Sequence, residues 1–226
     1  PGALDVETTP PHQAMGERLA DILPRGKGSK ELIELIRRSP SVLEHHDVNK
    51  VRRDLEQNPA NMIWLWGEGT RPRMEPFARK YGGHGAAISA VNLVRGIARL
   101  IGWDIIEVPG ITGYTDTDYG AKGRYAIDAL ADHDIVLVHV EAPDEASHDG
   151  DVKAKVRAIE QVDREIVGPL MAAGEDLGDF RLMVLPDHVT SVAKKQHMRG
   201  PVPVAMWGSG IRAASDLPFT EAYAAE

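Results

Sequence analysis

Between Gly16 and about Leu55 the apolar positions recur at helical spacing. Leu32, Ile33, Leu35 and Ile36 form one stripe within SKELIELIRRSPSVLEHHDVNKVRRDL, and recurrence every three to four residues places such side chains on one helix face. Ser29 reads as an N-cap, Pro40 as the start of a new helix after Ser39, and Pro59 as the stop. NMIWLWGEG, which follows, is a continuous apolar run ending on Gly67 and Gly69. It predicts a buried strand and a loop, with Trp64 and Trp66 in the core.

Beyond this run the pattern alternates. GGHGAAISA predicts a strand leading into the helix VNLVRGIARLIG, and DIIEVPGITG a second strand with a glycine-rich exit. A helix is expected from about Tyr119 to Leu130. DIVLVHVEA reads as a strand buried on both faces, because its apolar residues are continuous rather than alternating. A long helix from Asp151 to Ala172 carries Val156, Ile159, Val162, Ile166 and Val167 on one side. FRLMVLPDH and PVPVAMWGSG complete the strands. Strands alternating with helices predict an α/β fold, a mostly parallel sheet with helices on both faces. Residues 1–58 are expected to form a helical region, the end of an inserted substrate-binding domain, and residues 59–226 a metal-binding α/β domain.

Composition narrows the function. With 226 residues, 42% of them hydrophobic, the chain can bury one large α/β core. The net charge of -8 arises from 34 acidic and 26 basic residues interspersed along the chain, which excludes the concentrated basic face of a nucleic-acid binder. No apolar run approaches the roughly 18 residues of a membrane span. There is no cysteine, so any metal must be held by histidine and carboxylate, and the composition fits a cytoplasmic protein. The amino terminus, PGALDVETTPPHQ, is neither a signal nor a transit peptide. It is Pro-rich and turn-like where an α/β enzyme opens on a strand, so the fold is expected to be incomplete at that end.

In open α/β sheets ligands bind at the carboxyl ends of the strands, and three segments place metal-ligating residues there. In HVEAPDEASHDG, Asp144 and His148 are four apart, a spacing that aims both at one ion from a helical turn. In LPDHVTS, Asp187 and His188 are adjacent, supplying one ligand to each side or two from a sharp turn. His197 lies in the loop KKQHMRG before the last strand. Carboxylate oxygen with imidazole nitrogen suits Mn²⁺, Zn²⁺ or Co²⁺ and suits Ca²⁺ poorly. His139, inside a strand, reads as a core histidine, and Glu141 as a partner for a ligating imidazole. Asp116 and Asp118 read as caps of the following helix. Glu160 and Asp163 read as a solvated helix face.

These motifs resemble those of the archaeal-type, cofactor-independent phosphoglycerate mutases of the alkaline phosphatase superfamily. HVEAPDEASHDGDVKAKVRAIEQVD is similar to the family's segment in which Asp and His bracket three residues before a glycine-containing turn and a long helix. VLPDH with QHMRGPVPV is similar to its later Asp-His pair and third histidine. NPANMIWLWGEG, ISAVNLVRGIARLIGW and VPGITGYTDTDYGAKG are similar to its middle region, so the likeness covers nearly the whole chain, as the carboxyl-terminal portion of a longer enzyme. The resemblance implies an alkaline phosphatase-like fold and two divalent metals, manganese foremost and zinc, cobalt or magnesium otherwise. It implies that Asp144, His148 and His197 bind one ion and that Asp187 and His188 help to bind the other. The implied activity is an isomerase of glycolysis and gluconeogenesis that interconverts 3- and 2-phosphoglycerate through a phosphoserine. The family's nucleophilic serine and amino-terminal aspartate have no counterpart here, and none of Ser29, Ser89, Ser191 or Ser209 stands in the nucleophile's context. Val189, Thr190 and Ser191 replace the family's Pro and Thr-Pro, and Gln196, Met198 and Gly200 depart from its Thr-His-Thr and Asp.

A small phosphorylated hydroxy acid calls for cations. Arg95 and Lys122, near predicted strand exits, are the candidates, with Arg52 and Arg53 in a helical basic cluster and His12 in a loop. A related metal-dependent phosphatase or phosphotransferase, and a non-catalytic metal-binding module, are the competing readings.

Overall fold

The computed structural model describes residues 5–11, 14, 16–213 and 217–224, and His12 lies outside them. The chain divides into two compact units, Pro1–Pro72 and Arg73–Glu226. Residues 59–72, read from the sequence as the opening of the sheet domain, therefore group with the helices.

In the first unit a two-residue strand β1 (Val6–Glu7) pairs antiparallel with β2 (Arg25–Gly26). A short helix α1 (Leu19–Ile22) stands between them, and α2 (Ser29–Leu43) and α3 (Asp47–Asp54) follow. Gly28, at φ 93°, is the cap of α2, and Ser29 is its first helical residue. Pro40 does not begin a new helix; α2 runs through it. Proline has no N–H to send to the carbonyl four residues back, and the Ser39 hydroxyl takes that place, donating to the Ile36 carbonyl at 2.7 Å. The NMIWLW run forms no strand. Side chains engage its backbone and the residue before it: the Asn49 amide holds both the N–H and the carbonyl of Ala60, and the Ile63 N–H donates to Ser39. Trp64 is partly buried and donates to the Thr9 carbonyl, whereas Trp66 is 49% exposed.

The second unit opens with α4 (Phe77–Tyr81). Strands β3 (Gly85–Ile88), β4 (Asp104–Ile105) and β5 (Ile135–Val138) form a parallel sheet of order β4-β3-β5. Helices α5 (Asn92–Leu100) and α6 (Tyr119–Ala129) make the crossovers. Then come α7 (Ala142–Asp149), α8 (Val152–Val162), a π-helical turn over Asp163–Val167, and α9 (Gly168–Gly174). Strand β6 (Arg181–Val184) pairs with β9 (Ala205–Gly208) antiparallel. Between them β7 (Val189–Ser191) and β8 (Gln196–Met198) form a hairpin, and α10 (Glu221–Ala224) follows.

The core of this unit gathers Ile88, Val108, Tyr119, Ala126, Ala142, Ala158, Ile166 and Leu170. Its many alanines let helices lie close to the sheet and to one another. Val136, Val138 and Leu182 pack against it. Their neighbours on the other face of β5, Ile135 and Leu137, remain 40% and 42% exposed, so the expectation of burial on both faces fails for this strand. A continuous apolar run states that neither face is polar; it does not state how many faces the chain itself covers.

The long helix expected from Asp151 exists but widens in the middle. Pro169 has no N–H for the carbonyl of Glu165, and the Gly168 N–H reaches back five residues to Asp163, the local signature of a π-turn. The freed Glu165 carbonyl presses onto α6, where a Cβ on Gly123 would lie 2.3 Å from it.

Candidate metal centre

Three elements converge at the carboxyl end of β5. Pro143 in the first turn of α7 starts the helix where its missing N–H costs nothing. The helix then presents Asp144 and His148 one turn apart, with His148 Nε2 3.2 Å from Asp144 Oδ2. The helix stops at Gly150, whose φ of 79° suits glycine. The hairpin β7–β8 brings in His197, whose Nε2 lies 3.3 Å from Asp144 Oδ1 and 3.0 Å from His148 Nε2. His197 thus sits on a strand rather than in the expected loop. The hairpin turn closes with Lys195 in the left-handed region, its N–H bonded to the Ser191 carbonyl.

One ligand atom from each of Asp144, His148 and His197 lies within 4.8 Å of the other two. Atoms ~2.1 Å from a common ion, at about 90–109° to each other, stand roughly 3.0–3.4 Å apart; the two histidine nitrogens, and each nitrogen with one oxygen of Asp144, meet at that spacing. The hydrogen bonds also leave the right nitrogens bare. His148 Nδ1 donates to the Lys195 carbonyl at 2.9 Å, so Nε2 keeps its lone pair for the cluster. Donor chemistry and geometry both fit a divalent metal.

Asp187 and His188 occupy a sharp turn after β6, with the His188 N–H on Asp187 Oδ1 and His188 Nε2 3.3 Å from Asp187 Oδ2. The His188 ring lies 4.0 Å from that of His197, centroid to centroid. All five sequence-derived ligands therefore belong to one region. The link between the pairs is buried Thr190, whose hydroxyl donates to Asp144 Oδ1 and lies 3.1 Å from His188 Nδ1. A carboxylate only accepts, so the hydroxyl proton goes to Asp144 and His188 Nδ1–H donates to the hydroxyl oxygen. That leaves His188 Nε2 bare as well. Lys155 of α8 ties this point down by donating to the Thr190 carbonyl at 2.8 Å.

Thr190 and Lys195 were not picked out as functional from the sequence. The signal for Thr190 lay in its departure from the family's Pro and Thr-Pro. Lys195 offers none, since its backbone carbonyl does the work.

The site is crowded with negative charge. Burial raises the Glu141 carboxyl above its ordinary value, with Asp144 and Asp187 adding to the shift. Glu145 is raised in the same way, by burial and then by Asp144 and Glu141.

The cation candidates are placed less simply. Lys122 is 1% exposed and donates to the His139 carbonyl at 3.0 Å; burial pushes its ammonium down to about 8, against the opposing pull of Glu141. Arg95 holds a two-pronged pair with Glu107 and reaches the Ser89 carbonyl at 3.3 Å. Arg52, in the first unit, donates to the Asn58 carbonyl. Asp118 caps α6, accepting from the Ala121 N–H at 2.7 Å, and Asp116 accepts from the Thr112 hydroxyl.

An α/β sheet with Asp and His converging at its strand ends is the arrangement of a metal-binding protein, and the chain belongs to the metalloenzyme superfamily, which it matches over residues 13–225. It is 46% identical over 223 residues to the 2,3-bisphosphoglycerate-independent phosphoglycerate mutase of Methanothrix thermoacetophila, an overlap of 98% of this chain and 57% of the relative. Against the corresponding mutase 2 of Methanothermobacter thermautotrophicus it is 48% identical over 221 residues, covering 97% and 55%. The chain thus spans about half the length of the curated relatives it matches. A solved structure from Pyrococcus horikoshii superposes with a TM-score of 0.68 at 32% identity, covering 81% of this chain and 48% of that one. The cofactor-independent phosphoglycerate mutase of Thermoplasma acidophilum, at 23% identity, shares the fold with a TM-score of 0.53, over 98% of this chain and 54% of its own. The resemblance carried by the sequence motifs and the expected alkaline phosphatase-like fold are both borne out. Membership implies divalent-metal binding. No helix among the described residues is long and apolar enough to cross a membrane.

Proposed function

We propose that this chain supplies the metal-binding part of a cofactor-independent phosphoglycerate mutase, which moves a phosphoryl group between the 3- and 2-hydroxyls of glycerate through a phosphoserine. The observation that carries the reading is the convergence of Asp144, His148 and His197 at ligand spacing, in a chain nearly half identical to proteins named as such mutases. Asp144, His148 and His197 would hold one ion, and Asp187 with His188 would contribute to a second. The mixed oxygen and nitrogen donors suit manganese, zinc or cobalt alike; the family resemblance puts manganese first, with magnesium a further alternative. Two such ions, when bound, supply positive charge that activates a nucleophile and stabilises phosphoryl oxygens.

The chain's own residues set this up. Lys195 and Thr190 fix the imidazoles so that the bare nitrogens face inward, and Asp144 serves as the shared acceptor. Arg95 is the cation we carry forward for the substrate: its guanidinium already grips a carboxylate, that of Glu107, and a glycerate carboxylate has the same two-oxygen shape. The substrate would be a small phosphorylated hydroxy acid, and a cytoplasmic location follows from that metabolism.

The reading is tested by grafting. Residues 1–226, exchanged for the matching stretch of the Methanothermobacter mutase, should give a folded chimaera that binds two manganese ions and converts 3-phosphoglycerate to 2-phosphoglycerate. Release of inorganic phosphate without isomerisation would assign a phosphatase instead. Two bound ions with no turnover of any phosphoester would leave a metal-binding module. In the active chimaera, Arg95→Ala should raise KM at least tenfold without changing metal content, and an unchanged KM removes Arg95 from the substrate site.

A further inference from the structure

A second chain of polar contacts runs into the metal centre from the core, and the five ligands do not account for it. Ser89 is fully buried at the carboxyl end of β3. Its Oγ accepts the Val91 N–H at 3.0 Å and lies 3.2 Å from His139 Nδ1. His139, at the end of β5, continues the sheet by donating its N–H to the Ile88 carbonyl. The far side of its ring, Nε2, stands 3.2 Å from Glu141 Oε2. Glu141 precedes α7 directly and accepts the Asp144 N–H on its carbonyl at 2.8 Å. Three residues apart at the start of a helix, Glu141 and Asp144 share a face.

One tautomer of His139 satisfies both of its neighbours. An ionised Glu141 can only accept, so the proton of a neutral His139 belongs on Nε2. Nδ1 must then accept, and the Ser89 hydroxyl, already taking the Val91 N–H on its oxygen, has its one proton to give. The buried Lys122 ammonium donates to the His139 carbonyl and attracts the Glu141 carboxylate from the core side. Buried polar groups are costly unless partnered, and a run of partnered groups, closed by the 3.2 Å ion-pair contact of His139 with Glu141, holds its last member beside the metal centre.

We propose that Ser89 and His139 are positioning residues that hold the Glu141 carboxylate beside Asp144, where it adds negative charge to the metal centre and tightens cation binding. The proposal rests on the metal-centre reading above and extends it past the ligands. Ser89 is thereby given a structural role in the site rather than that of a nucleophile.

The test combines manganese titration calorimetry with nitrogen-15 NMR of the histidines. In the metal-free protein His139 should show Nδ1 as the bare acceptor and Nε2 as the protonated nitrogen; the reverse tautomer overturns the proposal, and this readout needs no variant. For the variants, Glu141→Gln, Ser89→Ala and His139→Asn should each weaken Mn²⁺ binding by roughly tenfold, the size seen when partners behind metal ligands are removed. His139→Gln places an amide N–H near the Nε2 position and should stay within about threefold of the parent, whereas the Asn amide reaches only the Nδ1 position. Equal affinities for the Asn and Gln variants sink the positioning role. The two levels separate cleanly: if the parent protein binds no Mn²⁺, or Asp144→Ala binds as tightly as the parent, the metal-centre reading fails; if only the relay variants are silent, this inference alone fails.

Discussion

Lys122 carries the clearest electrostatic consequence of any single residue. Its ammonium sits in the core at 1% exposure, and burial lowers its pKa from the ordinary 10.5 to about 8. Between those values the unfolded chain holds a proton that the folded chain has released. Stability therefore rises with pH across that window and is lost as pH falls back through about 8. Between pH 7 and 9.5 the parent should gain about 2 kcal/mol of unfolding free energy relative to Lys122→Met, read from urea titrations at each pH. Identical pH dependence in the two proteins would show that the amine is not so burdened. Thr190 gives a second residue-scale prediction. Thr190→Val keeps the shape but strips the hydroxyl that joins Asp144 to His188. It should cost roughly tenfold in Mn²⁺ affinity with the fold intact by circular dichroism; undiminished affinity would mean the two ligand pairs are held independently.

Among the elements, what was legible in the sequence is what depends on neighbours in the chain. The i, i+4 spacing of Asp144 and His148 predicted a shared helix face, and α7 presents them that way. Helices α5 and α6 form where the apolar spacing placed them, and strands β3 and β5 form on the apolar runs that predicted them. What escaped depends on distant partners. The hairpin β7–β8 consists of two polar three-residue strands without alternation, and it matters because Lys195 and Thr190 meet α7 across 47 and 46 residues of sequence. The NMIWLW run looks like a strand in composition, but Asn49 pins Ala60 just before it and Ser39 takes the Ile63 N–H within it. The π-turn is readable only in hindsight from Pro169. It has a testable counterpart on α6. A Cβ at Gly123 meets the Glu165 carbonyl, a backbone atom that cannot yield, whereas one at Gly120 first meets the movable Arg124 guanidinium. Gly123→Ala should destabilise by about 1–3 kcal/mol through overpacking. Gly120→Ala should be neutral or stabilising by up to about 1 kcal/mol, and matching losses in the two urea midpoints would refute the close contact.

For the whole molecule, the two compact units divide the response to metal. Every proposed ligand, with Thr190, Lys195 and the Ser89–His139–Glu141 chain, lies in residues 73–226, and helices α2 and α3 lie in residues 1–72. Crowded carboxylates at Glu141, Asp144 and Glu145 repel one another in the metal-free state, so a bound cation relieves a strain that is confined to one unit. A ligand that binds only the folded form, at one hundred times its dissociation constant, stabilises by about 2.7 kcal/mol. On that basis saturating Mn²⁺ should slow amide hydrogen exchange on the order of a hundredfold in the α7 and β7–β8 segments. Amides of α2 and α3 should change by less than about twofold. Asp144→Asn should abolish the protection in the second unit and leave the first as it was. Equal protection of both units would show that they open together as one cooperative block, and metal would then report on the stability of the entire chain rather than on the unit that holds it.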